Sequence, residues 1–350
     1  MQEKTEDMRE KVSFPLWFGL DVSKDSFTAA GRSVLRDEPT MFPAQDKFAI
    51  DSKGVRAFLK WAGSKAGVFG YGIAMEATGV YSRRLAALIR KAAPERHVAV
   101  CNAASVSHYA RSFTEEKSDR ADAALIARYA CDRNPRAPRE AGREETRLRE
   151  IVRARNAMKD QLQQARNRLE TLEDKAVRRI QKSLVGEMEK AVARLERELE
   201  ETVKSSPEIR GEVELMQTAP GVGFLSAACI YAELGSLKQY TRKQVSALSG
   251  VCPVNRLSGT SVRHHTMSRR GSKLLKRILF LDSTQAIRKM PNMGMLRGRL
   301  LARPDSSKMT ARCACMRKLL LILHAMVVTG TRFDPDYKPE KRCKNVAEAT

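Results

Sequence analysis

The sequence predicts an α/β domain followed by a mostly helical remainder, and three observations carry that division. Short apolar runs alternate with amphipathic stretches as far as about residue 131. A segment broken by Pro135 and Pro138 follows, and from Arg143 onward apolar residues recur in steps of three or four. Leu16 to Val22, Ser26 to Ser33 and a weaker run at Thr40 to Ala44 read as three successive strands. Asp51 to Gly63 has helical spacing through Val55, Phe58, Leu59 and Ala62. A strand at Val68 to Met75, a helix at Val80 to Ala92, a strand at His97 to Asn102 and a helix from Asp119 to Cys131 complete the first region.

Three strands, then helix, strand, helix, strand, helix, is the order of a ribonuclease H-like domain over residues 1–142. Residues 143–204 contain no proline and one glycine, and Leu148, Val152, Leu162, Leu169, Ile180, Leu184 and Leu195 share one narrow stripe. This reads as a long helix or a pair of helices forming a coiled-coil connector, with a protein partner expected on the stripe. Residues 205–332 read as a helical domain. Its opening Ala219-Pro220-Gly221-Val222-Gly223, ahead of a helix at Phe224 to Leu234, resembles a helix-hairpin-helix element whose free N–H groups can hold a phosphate. Residues 333–350, with Pro335 and Pro339, read as a flexible tail.

The 350 residues include 64 Lys plus Arg against 41 Asp plus Glu, a formal charge of +23 that points to a polyanion. Residues 251–350 hold 21 basic and 6 acidic residues, so the excess is C-terminal. Arg256, Arg263, Arg269, Arg270, Lys273, Lys276 and Arg277 open that tract and are candidate phosphate ligands, together with Gly221 and Gly223. The longest apolar run, Leu319 to Val328, is far short of the ~20 residues that cross a membrane. The mixed-charge N-terminus does not read as a signal peptide, and seven scattered cysteines without a C-x-x-C pair fit neither a disulfide framework nor a zinc ribbon. A soluble cytoplasmic chain is expected.

Four acids stand where chemistry would need them. Asp21 ends an apolar strand, Glu76 follows another, and Asp119 and Asp122 are three apart at a helical start, so they face one way. Each has a plainer explanation as a turn former or helix cap. Together they fit an oxygen-rich site for Mg²⁺, with Mn²⁺ as a substitute, suited to phosphodiester chemistry.

Gly19-Leu20-Asp21-Val22-Ser23-Lys24, Glu76-Ala77-Thr78-Gly79 and Lys117-Ser118-Asp119-Arg120-Ala121-Asp122-Ala123 resemble the RuvC-like DEDD domain of bacterial insertion-sequence transposases. Ala219 to Gly223, Leu248-Ser249-Gly250-Val251-Cys252-Pro253, Ser258-Gly259 and Arg269-Arg270-Gly271-Ser272 are similar to the C-terminal transposase domain of the same group, the IS110 family. The resemblance implies a recombinase in which the DEDD carboxylates act with a serine, here Ser258, that attacks the phosphodiester. It also implies DNA ends and target as substrates, a bridge RNA as guide, and a homo-oligomer, dimer or tetramer. Local chemistry agrees, since an attacking serine builds negative charge that nearby arginines offset. Two rivals remain at this point: a hydrolytic junction nuclease in which water attacks, and a non-catalytic nucleic-acid scaffold.

Overall fold

The computed structural model describes residues 14–34, 40–43, 47–111, 119–137, 139, 141–258, 262–267, 271–303 and 306–336. It divides into two compact units, residues 1–140 and 141–350.

The first unit is built on β1 (Leu16–Val22), β2 (Ser26–Ser33), β3 (Thr40–Pro43), β4 (Phe48–Ala49), α1 (Ser52–Ala66), β5 (Tyr71–Glu76), α2 (Val80–Ala92), β6 (His97–Cys101), α3 (Ala103–Ala110) and α4 (Asp119–Arg133). The sheet order is β3-β2-β1-β5-β6, with the short β4 added to β2. β1 runs antiparallel to β2 and parallel to β5, and β5 runs parallel to β6. This mixed α/β architecture is consistent with a ribonuclease H-like domain. Both faces are covered, which is why β1 reads as a nearly unbroken apolar run.

Alternation along β1 sends its residues to two cores. Phe18 and Leu20 join Val55, Phe58, Leu85 and Ile89 beneath α1 and α2. Trp17 goes to the opposite face with Ala74, Ala99, Val106, Ile126 and Ala130 beneath α3 and α4. Helix starts follow the expected chemistry: Asp51 accepts from the Gly54 amide at 2.7 Å and Asn102 from the Ala104 amide at 2.9 Å.

The second unit opens with α5 (Arg143–Thr171) and α6 (Lys175–Ser205). The connector is therefore a pair of helices. Ion pairs Arg147–Glu198, Arg155–Glu196 and Arg166–Glu189 run in opposing sequence order, so the two are antiparallel. Leu162, Ala165, Val185 and Val192 form their seam. Asp174 in the turn accepts from the amides of Ala176 and Val177, both at 2.9 Å, and starts α6. Much of the stripe is thus satisfied within the chain, while Val177, Ile180 and Leu184 stay 48%, 70% and 46% exposed near the turn.

The remainder comprises α7 (Pro207–Gln217), α8 (Phe224–Leu234), α9 (Arg242–Ser249), β7 (Pro253–Ser258), β8 (Val262–Met267), α10 (Lys273–Lys289), α11 (Pro291–Leu301) and α12 (Lys308–Thr329). Leu148, Val152, Leu199 and Val203 of the helical pair share one core with Val213, Ile230, Leu275, Leu279, Leu319 and Leu323. The antiparallel ribbon β7–β8 is a departure from the helical expectation for this region. Phe333, where a free tail was expected to begin, packs against that core, and its amide donates to Thr218 Oγ1 at 2.9 Å. Among the described residues no helix is long and apolar enough to cross a membrane.

Candidate active site

The first unit gathers its acids at one end of the sheet. β1 and β5 pair in parallel through Leu20↔Met75, so Asp21 and Glu76 occupy the next step of the same ladder. Neighbouring strands lie about 4.8 Å apart. By alternation Asp21 shares the face of Trp17 and Gly19, and Glu76 shares the face of Ala74, which is the face α4 covers. Gly19 sets how close that helix comes. A Cβ added there would overlap the Ala123 carbonyl oxygen and the Ala127 amide nitrogen, so only glycine lets the α4 backbone lie on β1. The first turn of α4, with Asp119 at its first position and Asp122 three residues on, is thereby held beside the ends of β1 and β5.

Electrostatics report the convergence. Glu76 titrates above the ordinary carboxylate range, chiefly because it is partly buried and then because Asp21 and Asp122 repel its charge. Cys101, which follows Glu76 across the β5–β6 ladder, is pushed up to about 12 by burial and then by the Glu76 charge. Two residues past Glu76, the Thr78 hydroxyl oxygen is buried without a hydrogen-bond partner among the described residues. As they stand, no three Asp, Glu, His or Cys side chains among the described residues are close enough together to hold a metal ion. A partly buried carboxylate raised by burial and by two neighbouring carboxylates nevertheless belongs to the kind of donor set that a divalent cation neutralises.

The other candidate residues lie in the second unit. Ser258 is the last residue of β7, paired with Val262 of β8, and Arg256 and Arg263 lie on the same ribbon. Arg269 and Arg270 lie outside the described residues. Lys273 starts α10 beyond the Ser272 cap and is exposed. Lys276 is half-buried in the next turn. Arg277, exposed one turn beyond Lys273, donates from its guanidinium to Asp160 at 2.7 Å and to Asn156 at 3.3 Å, linking α10 to α5.

The two glycines ahead of α8 have different tasks. Gly221 has φ +95° and packs so tightly on α10 that a Cβ would lie 2.9 Å from the Ala286 nitrogen and 3.0 Å from the Asp282 carbonyl oxygen. Gly223 is exposed with open space around it, and it N-caps α8 with no side-chain hydrogen bond. The N–H groups at the start of α8 therefore have no capping side chain.

Sequence reasoning named Gly19 without giving it a task, although glycine inside an apolar strand signals close backbone approach. It missed Asp282, a carboxylate on the core stripe of α10 between Leu279 and Ala286. Ser226 donates to Asp282 Oδ1 at 2.8 Å, Oδ2 is buried without a hydrogen-bond partner among the described residues, and burial pushes the acid up to about 6 despite that bond. The signal was an acid at helical spacing with Leu275, Leu279 and Ala286.

Comparison with known proteins places these units. Residues 18–177 match a DEDD family described as a transposase, and residues 213–295 match the transposase IS116/IS110/IS902 family. A pilin gene-inverting protein of Moraxella bovis is 26% identical over 265 residues, covering 74% of this chain and 81% of its own. The transposase for insertion sequence element IS1111A of Coxiella burnetii is 31% identical over 94 residues, covering 27% of this chain and 26% of its own.

Proposed function

The chain belongs to the IS110 family of transposases, and from that premise we propose that it cuts and rejoins DNA by attack of Ser258 on a phosphodiester, with Asp21, Glu76, Asp119 and Asp122 as its metal-holding carboxylates. The observation that carries this reading is the meeting of Asp21, Glu76 and the first turn of α4 at one end of the β1–β5 pair, with Glu76 raised by burial and then by its acidic neighbours. A divalent cation held there, Mg²⁺ or Mn²⁺, would supply positive charge against the phosphodiester oxygens.

The chain's own residues divide the remaining work. Gly19 holds α4 close, so that Asp119 and Asp122 stay beside Asp21 and Glu76. Gly223 leaves the start of α8 open for a phosphate oxygen, and Arg256, Arg263, Arg269, Arg270, Lys273 and Lys276 neutralise the backbone. Attack by Ser258 keeps the energy of the broken strand in a serine–phosphate bond, so rejoining needs no external energy source. This is the chemistry an element-moving or segment-inverting enzyme needs, and the Moraxella relative is named for inversion.

Guidance by an RNA bridging element and target suits a protein whose contacts fall on backbone and shape. Assembly of copies through the exposed apolar residues of α6 completes the reading. Strand exchange on the native element with its flanking RNA tests it. Asp21→Asn, Glu76→Gln and Ser258→Ala should each abolish recombination while leaving nucleic-acid binding intact. Normal recombination by Ser258→Ala would instead favour water as the attacking group.

A further inference from the structure

We propose that the cleft between α3 and α4 is a subsite for one unpaired base of the nucleic acid on which the enzyme works, with Tyr109 and Tyr129 as its stacking platform and Arg133 as the contact for the adjoining phosphate. The inference rests on the reading of this chain as acting on nucleic acid, and it asks nothing of Ser258. The cleft is lined by Ser105, His108, Tyr109, Tyr129 and Arg133 and measures 360 Å³. That lies at the small end of ligand-holding clefts, so a flat ring with part of its sugar fits and a duplex does not. The two tyrosine rings stand 5.5 Å apart between centroids, at 79° to one another. A base laid on one ring brings its rim against the other, the edge-to-face contact that aromatic groups favour.

Both rings are anchored before any ligand arrives. The Tyr109 hydroxyl donates to the Asp132 carboxylate, and Tyr129 packs against the core that holds Ala99, Val106 and Ala130. Burial first, then the bond to Asp132, pushes the Tyr109 phenol up to about 12, and burial raises Tyr129 against the opposing pull of Arg133 and Ser105. The platform is therefore neutral at pH 7 and loses little freedom when a base settles on it. Charge favours a nucleotide over other flat ligands. None of the lining residues is acidic, and Arg133 and His108 are exposed. Position points the same way. Asp122, Tyr129 and Arg133 recur at steps of seven and four along α4, so they run down one side of it. Seven residues rise about 10 Å, close to three stacked nucleotides at ~3.4 Å each. A strand whose phosphate meets the carboxylates thus carries a nearby base to the cleft. The sheet gives the same continuity, since Cys101 pairs with Glu76 and α3 starts two residues later.

The test titrates the full-length protein in roughly 0.15 M salt, which weakens general phosphate attraction, with a chelator present so that no cleavage intervenes. The probes are a labelled five-nucleotide backbone carrying one central base, in DNA and in RNA form, the same backbones with no base, and a blunt DNA duplex. Tyr109→Ala and Tyr129→Ala should each weaken the one-base strand roughly 5–150-fold, the usual effect of losing one stacked base, and leave duplex binding unchanged. Tyr109→Phe and Tyr129→Phe should keep wild-type affinity. Removing the base should cost wild type as much as the Ala change and cost the Ala variants nothing further. Arg133→Ala should weaken one-base and baseless strands equally. The backbone that shows this pattern, DNA or RNA, is the source of the base. Independently of how any variant folds, irradiating wild type on a strand whose base is 5-iodouracil should cross-link the peptides carrying Tyr109 or Tyr129. Ala variants with wild-type affinity, an equal loss on duplex, a base-removal cost that persists in the Ala variants, an unaffected Arg133→Ala protein, or cross-links confined to other peptides would each overturn the subsite. Wild type that binds neither strand nor duplex would overturn the function itself, a failure that the duplex measurement exposes separately.

Discussion

Gly19 of β1 and Ala123 of α4 meet backbone to backbone, with no room between them for a methyl group. That contact lies two residues from Asp21 and one from Asp122, so the spacing of the carboxylates depends on it. Gly19→Ala should push α4 off the sheet and cost about 1–3 kcal/mol, the range for overpacking. Hydrogen exchange is the measurement. Protection should drop in β1, β5 and α4 and stay unchanged in α8 and α10. Equal protection in both proteins would show that the close contact is dispensable.

Burial of Glu76 and repulsion from Asp21 and Asp122 together predict a metal-linked stability. Its carboxyl titrates above the ordinary range, so its contribution is present below that range and is lost as pH rises through the raised value. Glu76→Gln should therefore melt higher than wild type at pH 8 without metal and converge with it near pH 4. Mg²⁺ at about 100 times its dissociation constant should add ~2.7 kcal/mol to wild type and much less to the variant. Identical Mg²⁺ shifts in the two proteins would place the metal elsewhere.

Asp282 makes a separate prediction in the second unit. Its acid is pushed up to about 6 by burial, so its stability contribution is complete below about pH 4 and is lost as pH rises through 6. Asp282→Asn keeps an acceptor for Ser226 and removes the charge. It should gain about 2–3 kcal/mol at pH 8 and nothing at pH 4, following the pKa difference from the ordinary aspartate value. Urea unfolding at the two pH values measures this, and a pH-independent difference would contradict it.

The exposed apolar residues of α6 bear on assembly. Val177, Ile180 and Leu184 recur at helical spacing, and Ile180 is the most exposed of them. Ile180→Glu should leave monomer stability within ~0.5 kcal/mol, as surface changes do. It should also reduce the sedimenting mass of the nucleic-acid complex and slow recombination. An unchanged mass would take the interface away from this stripe.

Much of the first unit was legible because its physics is local. Asp21, Glu76 and the Asp119/Asp122 pair sit at the ends of strongly patterned elements, where alternation and the three-residue spacing decide facing. The short β4 and α3 were missed. Phe48–Ala49 has too few residues to show a period, and Ala103–Ala110 carries only one fully buried apolar residue, Val106. The β7–β8 ribbon was missed for a different reason. Its strands carry Arg256, Arg263 and both histidines, so neither face shows the apolar alternation that marks a strand, and its pairing is a matter of register. The partner of Arg277 was equally hidden, since Asp160 is 117 residues away. Gly19 shows the limit most clearly, because its requirement lies in a helix about a hundred residues further along.

The central claim is that a serine of the second unit becomes bonded to DNA while the carboxylates of the first unit are intact. Mass spectrometry of peptides from a denaturant-trapped reaction tests it directly. The account predicts a nucleotide adduct on the peptide containing Ser258, absent from the Asp21→Asn protein. Efficient recombination with no adduct, or an adduct on another residue, would contradict it.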